Sequence, residues 1–246
     1  MRRKGTVKFR VIGRLGLALI LIGGNAAGAQ ERKTPPDIHS KPGDHVSDFL
    51  EDPFVTKYRK KFFAVFSGNT SEFEQGMSEL DALLAKNPND ARALVWHGNG
   101  LMVRAGLKKF YGNPKAGQIL LLDSKKELDR AVSLDPENVN IIAMRAVTLH
   151  IAGQYWLEKD LPPETWQTIV HDLEKSRKII RPDRMKRISA HARGEILSEL
   201  AEAYGKLGQK EKSLTLWREV QKSTPNSKYA QQAAAVLKAE GKASAN

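Results

Sequence analysis

Four prolines stand in one recurring context, and they constrain the fold more than any other feature of this chain. Pro88 follows Leu83-Leu84-Ala85-Lys86-Asn87 and precedes Asn89-Asp90; Pro136 follows Ala131-Val132-Ser133-Leu134-Asp135 and precedes Glu137-Asn138. Pro182 and Pro225 close Lys178-Ile179-Ile180-Arg181 and Val220-Gln221-Lys222-Ser223-Thr224, with Asp183 and Asn226-Ser227 beyond them. Proline cannot continue a helix and pushes the residue before it away from helical geometry. The Asn, Asp or Ser after it can accept a hydrogen bond from the orphan amides of the next helix. The chain is therefore expected to be all-α, a succession of helical hairpins punctuated by these turns.

The best-preserved unit spans 194–227, which is 34 residues with Pro225 at position 32. Small residues fall at positions 8 (Ala201) and 20 (Ser213), where two antiparallel helices must approach closely. Large ones, Leu200, Tyr204 and Trp217, fill the space between them, and Gly208 supplies a left-handed turn. This spacing resembles the tetratricopeptide repeat (TPR), a helix–turn–helix unit of about 34 residues. The resemblance covers residues 54–237 and is carried most clearly by the last unit. It implies a right-handed α-solenoid of about four hairpins over 54–240, with repeats at 57–90, 91–138, 139–183 and 194–227. A capping helix at 228–240 would cover the last apolar surface.

In the same register Ala64 and Gly76 take the two small positions of the first unit, Gly98 the first of the second and Ala146 that of the third. The second helix of the third unit, around Trp166, needs a one-residue shift to align Ser176. Successive prolines lie 48, 46 and 43 residues apart, all more than 34. The surplus in the second unit falls at 106–124, where Asn113-Pro114 reads as a cap with proline in the first turn, so that the helix starts early. The third carries an excursion at 154–165, and the surplus at 184–192 is expected to lengthen the following helix at its start. Such insertions either shape a binding face or are tolerated extensions.

Residues 1–14 are basic without an acid, Leu15 to Gly24 is apolar, and Ala27-Gly28-Ala29 follows. That is the three-part pattern of a secretory signal peptide, here 1–29 with cleavage before Gln30. The apolar run is too short for a retained span. The chain has no cysteine, which excludes disulfides, thiolate chemistry and a lipid anchor on cysteine. Residues 30–53 hold four prolines and few large apolar side chains, a linker; 241–246 reads as a disordered tail. The formal charge of +12 includes six basic residues of the leader, so the mature chain carries +6. That suits weak attraction to anionic membrane or cell-wall surfaces. No basic stripe is interleaved with aromatics as nucleic-acid stacking would need.

Chemistry is hard to find. The six histidines have no metal-ligand spacing, the segment from Gly112 to Gln118 lacks a phosphate loop's ending, and no nucleophile elbow occurs. No catalytic, cofactor or metal residue is assigned, and an enzyme is not expected. The TPR resemblance implies that the first helix of each hairpin lines a concave groove for a protein or peptide. The groove positions include Arg92, Val95, Asn99 and Met102, then Asn140, Ala143, Val147 and His150, then Glu195, Ser198, Glu202 and Lys206. Arg92, Asn99, Asn140, His150 and Glu202 are the candidate partner-binding residues, with His150 alternatively a satisfied core residue. In this register Arg92, Asn99, Asn140 and Glu202 are not needed for helix packing. The Lys and Asn pair with which some TPR domains clamp a C-terminal carboxylate is broken here, since Lys61 meets Val65 and Asn99 meets Val95. The function expected is that of an exported, non-catalytic scaffold in a bacterial envelope; the alternative is an assembly subunit that oligomerises through the solenoid flank.

Overall fold

The computed structural model describes residues 53–155, 164–186 and 188–243. The expected leader, nearly all of the linker, the middle of the 154–165 excursion and the last three residues lie outside them. The described elements are α1 (Pro53–Phe63), a 3-10 turn (Ala64–Ser67), α2 (Thr70–Lys86), α3 (Ala91–Phe110), α4 (Pro114–Leu134) and α5 (Val139–Tyr155). They continue with α6 (Glu164–Met185), α7 (Ala190–Lys206), α8 (Lys210–Ser223) and α9 (Lys228–Ala243). No strand occurs among the described residues, so this part of the chain is all-α. Each helix packs on its neighbour in sequence, and α3 also packs on α5, α5 on α7 and α7 on α9.

The helix ends are written in the local sequence. Asp90 accepts from the amides of Arg92 and Ala93 and starts α3; Asn113 accepts from Ala116 and starts α4, with Pro114 in its first turn. Ser227 Oγ accepts from the amide of Ala230 in α9. After Pro182 the rule works differently. Arg181 is forced to φ 61°, ψ 152°, and the chain makes one more helical turn to Met185 before Ser189 caps α7. Asp183 is therefore not the cap; of the 184–192 surplus, Arg184 and Met185 belong to this separate turn, and the last three residues lengthen α7 at its start, as expected. The guanidinium of Arg193 holds the turn by donating to the carbonyls of Met185, Lys186 and Ile188 and to Ser223 O.

At the end of α7, Gly208 sits at φ 72°; its amide donates to Gly205 O and that of Gln209 to Tyr204 O, the paired bonds of a Schellman cap. The expected small positions sit where space is short. A methyl on Gly98 would stand 3.1 Å from Leu128 Cγ and 3.2 Å from Ser124 O, so α3 and α4 touch backbone to side chain there. Ser124 Oγ donates to Gly98 O at 2.7 Å. Ala201 and Ser213 are likewise buried. α5 is the innermost helix: Ile141, Ile142, Met144, Ala146, Val147, Leu149 and Ala152 are all buried, which takes every side of it out of water. Trp217 is buried in one apolar cluster with Leu200 and Tyr204.

The 14-residue surplus of the second unit is shared equally. α3 ends 20 residues after Asp90, whereas α7 ends 13 after Arg193; α4 begins 22 residues before Pro136, whereas α8 begins 15 before Pro225. Each helix of this hairpin has gained seven residues, close to two turns and about 10 Å. The added length forms a tip bounded by Gly112.

Candidate functional site

α3, α5 and α7 carry the positions expected to line a groove, and the structure closes over most of them. Val95, Asn99, Met102, Ala143, Val147, His150, Glu195 and Ser198 are all buried. Arg92 is exposed, with its guanidinium over the Phe54 ring at 5.1 Å, and Asn140 and Glu202 are half-buried. Asn99 is 3% exposed, and its amide nitrogen donates to Thr148 Oγ1 on α5 at 2.9 Å. It is thus a helix-packing residue, contrary to the reading from its register. Its Oδ1 and that of Asn140 are buried without a hydrogen-bond partner.

Of the five candidate residues, the structure brings His150 and Glu202 together. His150 Nε2 lies 2.9 Å from Glu202 Oε2, and its Nδ1 lies 3.6 Å from Glu199 Oε1. The amides of Gln154 and Gln232 donate to the two oxygens of Glu202 at 2.6 and 2.5 Å. Burial opposes charge on Glu202, but the His150 contact and these two amides hold its carboxyl below the usual carboxylate range. The histidine is buried and partnered, as the alternative reading of it held, and it joins α5 to α7.

The sequence reading placed Glu195 and Glu202 on the groove but passed over Glu199 between them and the burial of this face. Glu195, Glu199 and Glu202 fall four and three residues apart, so they share one side of α7. Burial pushes the carboxyl of Glu195 up to about 8, and burial with the charges of Glu195 and Glu202 raises that of Glu199 well above its ordinary value. Glu195 Oε2 and Glu199 Oε2 have no hydrogen-bond partner, and His191 Nε2 stands 3.6 Å from the former. Burial also lowers the pKa of Lys228, against the pull of Glu195 and Glu199, and lowers that of His191. The available signal was the spacing of the three acids, but acids on one helix face normally mean solvent. Nothing local marks this face as buried.

A second network was equally invisible. Arg145 on α5 donates from Nε and Nη2 to the two oxygens of Asp172 on α6, both at 2.7 Å, and from Nη1 to Asp129 on α4 at 3.1 Å. The Asp172 side chain is fully buried, so this bidentate pair fixes three helices against one another. Among the described residues no three His, Asp or Glu side chains converge so as to hold a metal ion. Chemically, the α5–α7–α9 junction offers carboxyls that accept protons or cationic hydrogen-bond donors. No family model matches the chain, and no curated protein or solved structure matches it either.

Proposed function

We propose that this chain is an exported, non-catalytic scaffold, a right-handed TPR-like solenoid that binds a protein or peptide partner in a bacterial envelope. The observation that carries the reading is the repeated hairpin: small residues at the tight crossings and first helices packed successively on one another. A stack of that kind presents an extended surface of first helices, which is what such scaffolds bind with. The exposed part of that surface is polar, with Arg92, Gln154 and Lys206 on the first helices and Gln232 on α9. It suits an extended peptide with both donors and acceptors.

Affinity capture from an envelope extract tests this. The chain should retain a reproducible set of proteins, and a variant with Arg92→Ala and Gln154→Ala should lose them while its helical circular-dichroism signal is unchanged. Retention of every partner by the folded variant would move the binding surface off these helices. Export is tested by intact mass: the exported chain should begin at Gln30, and a species that keeps residues 1–29 would refute it.

A further inference from the structure

We propose that the projecting tip of the α3–α4 hairpin is a membrane-surface contact that takes anionic phospholipid. The tip displays four large apolar side chains to water: Phe110, Tyr111, Ile119 and Leu122 are 54%, 74%, 62% and 46% exposed. These belong to the length the hairpin has gained over its counterpart, or lie next to it. A small inner cluster of Met102, Ala105, Leu121 and Ala152 already serves packing there, so the outer four are surplus to the core.

The turn that carries the aromatics is closed by its own backbone. Gly112 at φ 84° closes it, its amide donating to Lys109 O at 3.1 Å and that of Asn113 to Lys108 O at 2.9 Å. The Phe110 and Tyr111 rings meet edge to face, 5.3 Å between centroids. Tyr suits the boundary where one end is apolar and the other wet.

Charge chooses the occupant. Between Arg104 and Leu122 there are four basic residues, Arg104, Lys108, Lys109 and Lys115, and not one Asp or Glu. Arg104 is paired with Glu74, while Lys108 and Lys115 are exposed at the tip. Lysines beside an apolar wedge match a layer of anionic headgroups above acyl chains, with their stems on the apolar side. A second copy docking by two-fold symmetry would set this cationic rim against itself, which opposes dimerisation here. Among the described residues no helix is long and apolar enough to cross a membrane, so the contact is a surface one.

The chain has no cysteine, so a single label can be placed at will. The full chain carrying Ile119→Cys, labelled with an environment-sensitive fluorophore, is mixed with vesicles of phosphatidylcholine with and without phosphatidylglycerol. A blue shift with the anionic vesicles alone, suppressed by high salt, is expected, while the same label at Gln221→Cys on α8 stays in an aqueous environment. The local label separates the tip from any binding by residues 1–29. In co-sedimentation, Lys108→Gln with Lys115→Gln should weaken anionic-vesicle binding by roughly fivefold per lysine. Phe110→Ser with Tyr111→Ser should abolish the shift at position 119 without altering the circular-dichroism spectrum. An unshifted label on vesicles that bind the chain would overturn the proposal, as would equal shifts on neutral and anionic vesicles. A Tyr111-dependent dimer in sedimentation velocity with no vesicle binding would also overturn it and reassign the tip to self-association.

Discussion

Asn99 and Glu195 each place polar atoms where water does not reach, and both can be tested singly. Asn99→Ala removes the donor to Thr148 Oγ1 from the α3–α5 contact. Thr148 keeps its own bond to Met144 O, so the cost should be about 1–3 kcal/mol, read as a lower urea midpoint at unchanged slope. A change under about 0.5 kcal/mol, the value for a surface position, would mean that the interhelical bond contributes nothing. For Glu195 the sign follows from its pKa near 8 in the fold, well above that of an unfolded carboxyl. Between about pH 4.5 and 8 the native state then binds more protons than the unfolded state, and stability falls as pH rises through that window. Glu202 and His191 act oppositely, since lowered values lose stability as pH falls. Comparing the wild type with Glu195→Gln isolates the first effect: the variant should gain on the wild type by roughly 1 kcal/mol per pH unit across the window. Parallel pH profiles would show that Glu195 is ionised in the fold.

The helical elements hold together by apolar faces interrupted at chosen points by small residues. Trp217 on α8 shows the apolar side of this, buried at the large position that its register assigns. Trp217→Ala should cost about 3–5 kcal/mol in a denaturation midpoint, and an unchanged midpoint would refute the packing of α8 on α7. The ends of elements were legible because caps are local: a side chain satisfies an amide two or three residues away, so Asp90, Asn113 and Ser227 could be read from neighbours. The 182–189 turn was misread because two local rules compete there. Proline ends one helix at once, but nothing nearby requires the next helix to begin, and Arg193 holds the intervening turn through carbonyls on two elements.

At the scale of the molecule, the α3–α4 hairpin exceeds the α7–α8 hairpin by seven residues in each helix, and this equal division makes a deletion exact in register. Removing 104–110 and 114–120 joins Val103 to Tyr111-Gly112-Asn113 and puts Gly112 at the position Gly208 holds in the last unit. The shortened chain should melt cooperatively by circular dichroism and lose the vesicle binding of the tip; loss of the cooperative transition would show that the extension supports the core. By itself the sequence determined the helical class, the helix ends marked by a local cap, the small residues at close crossings and the early start of α4, because each depends on groups within a few turns or on one hairpin. It could not decide which faces of α3, α5 and α7 are closed to water. That depends on how successive hairpins press together, and on side chains such as His150 and Glu202, 52 residues apart, meeting across that contact. Burial by distant elements turned expected surface residues into packing ones, and it left the added turns of one hairpin with apolar side chains that nothing in the core covers.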